Sequence, residues 1–226
     1  MSVESVTVET GQFDLHRWLP EDVRAAFAAM TKRRRYAAGR MIYSQAEPGN
    51  EMFRLVEGEV RLSLMRDDGR ELVYLLFQPG DCFGESSLID GGPRPHTADA
   101  QTDVVLEVVS RESFNRLRAA HPSFDSGLLR LLCGHMRLLS GYVADATLDQ
   151  LPSRLASRLL ATARDDVDGI PTVRLSQAEL GRMVGASRQT INKLLQQFRS
   201  QGLVGLSYSV VTITDQRSLQ QLAATS

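Results

Sequence analysis

At 226 residues, with 42% hydrophobic and 23% charged residues and a formal net charge of −1, the chain has the make-up of a globular protein with room for one large domain or two modest ones. No apolar run approaches the ~18 residues of a membrane span, and two cysteines, Cys82 and Cys133, without CxxC spacing, exclude a disulfide framework. The charge is uneven: residues 151–226 carry 9 Lys/Arg against 5 Asp/Glu and the first 150 carry 17 against 22, so the C-terminal part is the one suited to a polyanion.

The opening MSVESVTVETGQFD is polar and acidic and lacks a secretory leader's basic and apolar regions, so a cytoplasmic location with no membrane partner is expected. PEDVRAAFAAM reads as a short helix opened by Pro20. From Gly39 to Val109 the text breaks into short runs of β-formers, MFRLV, EVRLSLM, RELVYLLF and VVLEVVS. Turn signals separate them at Glu57-Gly58, Asp67-Asp68-Gly69 and Pro79-Gly80-Asp81. So many short strands in one stretch predict an antiparallel β-roll or sandwich over residues 1–112.

Within that roll, FGESSLIDGGPRPHTA at 83–98 brings a glycine, a carboxylate and an arginine (Gly84, Glu85, Arg94) to what reads as a turn between strands. The trio suits a small anionic ligand that carries hydroxyls. Pro95 removes one backbone N–H from the same place. Without a ligand, Glu85 and Arg94 could pair with each other and hold the roll.

After Ser110 the period lengthens. Leu128, Leu132, His135, Leu139, Tyr142 and Ala146 alternate at spacings of four and three, a coiled-coil-like seam over nearly three heptads. Because Leu129, Leu131, Met136, Leu138 and Val143 are apolar too, the helix is expected to dimerise on one face and cover the roll with another. Residues 113–150 are thus assigned to a dimerisation helix and hinge, and 151–226 to a separate domain that begins at Leu151-Pro152.

In that domain LSQAELGRMVGASRQTINKLLQQFRSQGLV predicts two short helices. Ser176 and Glu179 form a capping box, Leu180, Met183 and Val184 give the first helix one apolar face, and Gly185-Ala186 makes a tight turn. Ser187 caps the second helix, whose buried stripe is Ile191, Leu194, Leu195 and Phe198. Its opposite face carries Arg188, Gln189, Asn192, Lys193 and Gln196 and no carboxylate. That pattern describes a helix-turn-helix with its second helix in the major groove. Arginine and lysine suit guanine O6 and N7, and glutamine suits adenine N6 and N7. Ser187 and Thr190 are placed to hold phosphates from the helix N-terminus. VGLSYSVVTITD then reads as a hairpin, the wing.

A β-roll, a long helix and a winged helix-turn-helix, in that order, make an α+β chain that resembles the Crp–Fnr family of bacterial transcription regulators over nearly its whole length. The most specific stretches are FGESSLIDGGPR at 83–94 and LSQAELGRMVGASRQTINKLL at 175–195. The resemblance puts Arg188, Gln189 and Lys193 on base-reading positions and Thr190 on a phosphate-contact position. Gln189 stands where cyclic-AMP-responsive members have glutamate, which implies a different operator preference. For members that bind cyclic AMP it implies that Gly84 offers a backbone N–H, Glu85 accepts from the ribose 2′-hydroxyl and Arg94 pairs with the phosphate. The serine of that cassette is Pro95 here, a loss of two donors worth on the order of 100-fold or more in affinity. Thr97, two residues on, would restore one hydroxyl if the chain is extended there, which puts it on the face of Pro95 with Arg94 and His96 on the other. Leu139, with Ser140 following, aligns with an adenine-reading threonine whose polar contact leucine cannot make. The resemblance further implies a homodimer, a double-stranded operator, RNA polymerase as a partner and a cyclic nucleotide or cyclic dinucleotide as effector, with a non-nucleotide effector or none left open.

Other chemistries lack their residues. Two distant cysteines do not suit an iron–sulfur cluster, and no histidine near Cys82 supports a haem. His16, His96, His121 and His135 show no metal spacing. No nucleophile elbow, P-loop or HExxH motif occurs, so no catalytic residue is assigned and no enzyme is expected.

Overall fold

The computed structural model describes residues 11–148, 150–207 and 209–224, which divide into two compact units, Glu9–Arg137 and Leu138–Ser226. The acidic opening at 1–10, the side chain of Ala146 and Tyr208 lie outside the described residues.

The first unit begins with helix α1 (Glu21–Ala29), opened by Pro20 as expected and burying Val23 and Phe27. Eight strands follow: β1 (Lys32–Tyr36), β2 (Met41–Tyr43), β3 (Glu51–Glu57), β4 (Val60–Met65), β5 (Glu71–Phe77), β6 (Cys82–Phe83), β7 (Thr97–Ala100) and β8 (Val104–Ser110). They form two four-stranded sheets, ordered β1-β8-β3-β6 and β2-β7-β4-β5. Every pairing is antiparallel. This is the β-roll that the short strands predict, and its register follows side-chain character: Val108 and Leu106 of β8 stand opposite Phe53 and Leu55 of β3, all buried. The short helix α2 (Ser86–Asp90) interrupts the strands after β6.

Between the sheets the aromatic rings stack in series. Tyr43 lies 5.8 Å from Phe53, Phe53 5.2 Å from Phe83, and Phe83 5.3 Å from Phe77. Outside the strands, helix α3 (Arg111–Ala120), capped by Ser110, buries Phe114 and Leu117 beside Phe124 at the start of helix α4 (Pro122–Leu148).

Helix α4 is a single element of 27 residues, but its outward seam differs from the expected one by a residue. Leu128, Leu131 and Leu138 are buried, and His135 and Tyr142 make polar contacts within their own units. Leu129, Met136, Leu139 and Val143 are instead 64%, 63%, 46% and 60% exposed. With half-buried Leu132 they repeat the three-and-four spacing of a heptad seam.

The second unit continues with α5 (Leu151–Thr162), β9 (Arg164–Asp165), β10 (Pro171–Val173), α6 (Gln177–Val184), α7 (Arg188–Ser200), β11 (Val204–Ser207), β12 (Val210–Ile213) and α8 (Gln216–Ala223). The strands form one sheet in the order β11-β12-β10-β9, so the β11–β12 wing is tied into a four-stranded platform. Leu155, Ala156 and Leu159 of α5, Leu180 and Met183 of α6, Ile191, Leu195 and Phe198 of α7, and Leu219 of α8 make its core. Leu194, expected in the buried stripe of α7, is half-buried. Among the described residues no helix is long and apolar enough to cross a membrane.

Candidate nucleic-acid interface and roll cleft

The pair α6 and α7 is built by local chemistry that the sequence announces. Ser176 Oγ accepts the Glu179 amide at 3.2 Å, and Glu179 Oε2 accepts the Ser176 amide at 2.7 Å, so both arms of the capping box are made. Gly185 ends α6 in the left-handed region at φ 70°. The close approach falls on Gly181, where a Cβ would stand 2.5 Å from the Ala186 carbonyl oxygen; only hydrogen lets the turn fold back. Ser187 Oγ then accepts the Thr190 amide at 3.1 Å and opens α7.

Packing one face of α7 leaves the other outward. Ser187, Arg188, Gln189 and Lys193 are exposed, while Thr190 and Asn192 are half-buried. No Asp or Glu lies between Arg188 and Ser200, so the surface is cationic and rich in donors, with the positive end of the helix dipole beneath it. The hydroxyls of Ser187 and Thr190 stand 2.9 Å apart and bond each other. Asn192 Nδ2 donates to Gln177 Oε1 at 3.2 Å, a link that the sequence does not signal. A groove of about 470 Å³ runs between this face and the wing, lined among others by Ser176, Gln177, Arg188, Asn192, Ser207 and Ser209.

The roll cleft gathers Gly84, Glu85, Arg94 and Thr97, but their bonds are not the expected ones. Arg94 is buried with its guanidinium 4.3 Å over the Tyr43 ring. Its Nη1 donates to the Gly84 carbonyl and its Nη2 to the Glu51 carbonyl, both at 2.7 Å. Gly84 has φ 83°, and a Cβ there would stand 2.8 Å from Arg94 Nη1, so glycine is required for conformation and for space. Glu85 does not pair with Arg94. Its Oε1 lies 3.3 Å from Nδ1 of His135 on α4. Burial tends to raise the Glu85 pKa, but the hydrogen bond and charge of His135 oppose it and hold the carboxyl below its ordinary value. The His135 ring packs 4.6 Å from Phe13 and 6.0 Å from Phe77.

Pro95 faces solvent while Arg94 and His96 share the buried side, as alternation predicts. Thr97 does not stay on the face of Pro95, because the chain bends at 95–96 before β7 begins. It is buried, and its Oγ1 accepts the Gln45 amide at 3.0 Å. His96 Nε2 lies 3.3 Å from the Tyr43 hydroxyl, and burial pushes the imidazole pKa down to about 4. Buried atoms without a hydrogen-bond partner collect here: Glu85 Oε2, Ser87 Oγ, Arg94 Nε, His96 Nδ1 and His135 Nε2. Leu139 and Ser140 are exposed on α4 and belong to the second unit.

His135, Tyr43 and Gln177 are the site residues that sequence reasoning misses. Only His135 leaves a trace, as the one imidazole in a seam otherwise made of Leu, Tyr and Ala, which calls for a polar partner.

Comparison with known proteins places both regions. Residues 33–121 match the family model of the cyclic nucleotide-binding domain, and 153–222 match that of the Crp-like helix-turn-helix domain. A CRP-like cAMP-activated global transcriptional regulator of Mycobacterium tuberculosis is 32% identical over 88% of this chain and 92% of its own length. A cyclic AMP receptor protein of Thermus thermophilus is 29% identical over 92% and 95%. The crystal structure of a CRP-family transcriptional regulator, also from Thermus thermophilus, superposes with a TM-score of 0.71 at 27% identity, covering 85% of this chain and 97% of that one.

Proposed function

The chain belongs to the Crp–Fnr family of transcription regulators, and on that premise we propose that it acts as a homodimer whose two α7 helices read a two-fold-related operator, gated by a small effector in the roll cleft. The observation that carries the reading is the outward face of α7: exposed Arg188, Gln189 and Lys193 on a capped helix without a carboxylate. Such a face is repelled by no phosphate and offers donors to base edges. Half-sites about one helical turn apart would suit the dimer. RNA polymerase is the further partner that family membership supports.

The test is a fluorescence-anisotropy titration of the full chain with a duplex pool at graded salt. Affinity that falls as salt rises, with selected sequences bound above random ones, supports the reading; no affinity at low salt defeats it. Arg188→Ala is expected to cost ~1–3 kcal/mol on a selected duplex and to relax preference at one base position. Equal weakening on selected and random duplexes would reassign Arg188 to phosphate.

The dimer reading rests on Leu129, Leu132, Met136, Leu139 and Val143, which place an apolar stripe along the outer side of α4. Leu129→Glu would set a carboxylate against its symmetry mate. It is expected to shift sedimentation from dimer to monomer and to lower operator affinity by about tenfold or more. An unchanged dimer would place the interface elsewhere.

For the effector, the cleft fits the hydroxyl-bearing part of a cyclic nucleotide better than its phosphate. Glu85 Oε2 and His135 Nε2 have capacity left, whereas both terminal nitrogens of Arg94 already donate to carbonyls, which leaves its Nε as the one nitrogen without a partner, and Pro95 supplies no N–H. That engagement of Arg94 favours a second reading, a regulator active without ligand. Calorimetric titration with cyclic AMP, cyclic GMP and cyclic di-GMP separates the two. Heat together with altered operator affinity supports gating; no heat with strong operator binding supports the second reading.

A further inference from the structure

We propose that Gln177 is a positioning residue for base reading: it orients the Asn192 amide so that the recognition helix presents one acceptor and one donor to an adenine. This rests on α7 being the base-contacting helix. A terminal amide on a helix surface turns broadly about its last torsion, so an unheld asparagine offers oxygen or nitrogen to the groove with little preference. Here Asn192 Nδ2 donates to Gln177 Oε1 at 3.2 Å. One of the two amide hydrogens is thereby spent toward α6. What remains on Asn192 is Oδ1 and a single N–H, the pair that recognises adenine N6 and N7.

Gln177 is itself well placed to impose that choice. It is the first residue of α6, directly after Ser176, and the capping box holds this end of the helix with bonds of 2.7 and 3.2 Å. Asn192 lies one turn beyond Arg188 on α7, and all three residues line the groove beside the wing. Gln177 therefore links the two helices of the motif through a side chain whose backbone is fixed, and the bond has no structural necessity: α6 and α7 are already anchored by the buried side chains of Leu180, Met183, Ile191 and Leu195.

The experiment uses the full chain and a duplex pool with a randomised two-fold-symmetric core, and reads base enrichment by position. The wild type is expected to enrich adenine at one position of each half-site, and Asn192→Ala to lose that preference. Gln177→Met is expected to lower the same preference about 5-fold, the worth of one ordinary hydrogen bond, while leaving the thermal midpoint and the other positions unchanged. Gln177→Glu keeps the acceptor, so it retains the preference while its charge weakens binding to every sequence alike. The double variant Gln177→Met/Asn192→Ala should be no less selective than Asn192→Ala alone. An additive loss in the double variant, a uniform loss of affinity with a shallower salt slope in Gln177→Met, or no change in preference in either single variant overturns the assignment. If the wild type enriches no sequence at all, the reading of α7 fails first and takes this one with it. Enrichment at other positions with Gln177→Met silent defeats this one alone.

Discussion

Replacing Arg94 by leucine is expected to lower the stability of the ligand-free roll by about 3 kcal/mol, because the two oxygens that lose their donor are backbone carbonyls that cannot be mutated away. Arg94 satisfies the Gly84 and Glu51 carbonyls at 2.7 Å each, and its plane rests on Tyr43. An orphaned buried carbonyl costs ~1–3 kcal/mol, and the cation–π contact adds roughly 0.5–2 kcal/mol. Against this, leucine relieves the cost of burying a guanidinium, which pulls the Arg94 pKa below its ordinary value, and it fills much of the same space. The carbonyl terms exceed that relief. Arg94→Lys should fall between, since an ammonium can reach one carbonyl and cannot lie flat on the ring. Trp18, the chain's one tryptophan, lies in the same unit and reports its unfolding in urea. If Arg94 were instead held in reserve for a ligand's phosphate, Arg94→Leu would change the ligand-free midpoint by less than about 0.5 kcal/mol and abolish only binding.

The roll and the helix-turn-helix were legible because each is written in local chemistry. Turn glycines, runs of β-formers in β3, β5 and β8 with alternation clear over β5, and a capping box followed by Gly185 depend on neighbours a few residues apart. The seam of α4 was not. Leu128 and Leu129, Leu131 and Leu132, and Leu138 and Leu139 are adjacent apolar pairs, so two heptad registers fit the same text. The roll's own unit decides between them by burying Leu128 and Leu131 and by pairing His135 with Glu85.

The cleft was legible only in its members. Gly84, Glu85 and Arg94 do converge, yet the partners that set their chemistry are a histidine 50 residues from Glu85 and carbonyls that every residue carries. Backbone acceptors leave no mark in a sequence. Neither does an amide–amide bond such as Asn192 to Gln177, whose two residue types suit almost any exposed helix.

Acidification offers the second large effect, and in the wild type it should be mostly hidden. His96 is held neutral: burial lowers its pKa from 6.5 to about 4. The unfolded chain therefore binds this proton first, and the stability from neutral His96 is full above pH 6.5 and lost as pH falls toward 4, about 3 kcal/mol in all. Asp81 behaves oppositely. Burial raises its carboxyl from 3.8 to about 6, against the Gln78 and Phe13 amides that donate to it at 2.8 and 3.0 Å. Here the folded chain binds the proton first, so stability rises by about 3 kcal/mol as pH falls from 6 toward 3.8. The two windows overlap and their slopes cancel, leaving the roll nearly level between pH 6 and 4. A smaller decline comes from His16, whose pKa burial also lowers. Glu85, held under its ordinary value of 4.5 by His135, loses its share as pH falls below 4.5 and on through its lowered pKa. Asp81→Asn should unmask His96, so that stability drops steeply from pH 6.5 to 4. His96→Gln should unmask Asp81, so that stability climbs on acidification. Each substitution also shifts the baseline, because an amide at position 81 keeps one acceptor for two donors; the slope is the readout. A wild-type stability that already falls by about 3 kcal/mol between pH 6 and 4, and falls equally in Asp81→Asn, would show that Asp81 ionises freely and that the opposition of the two buried groups does not exist.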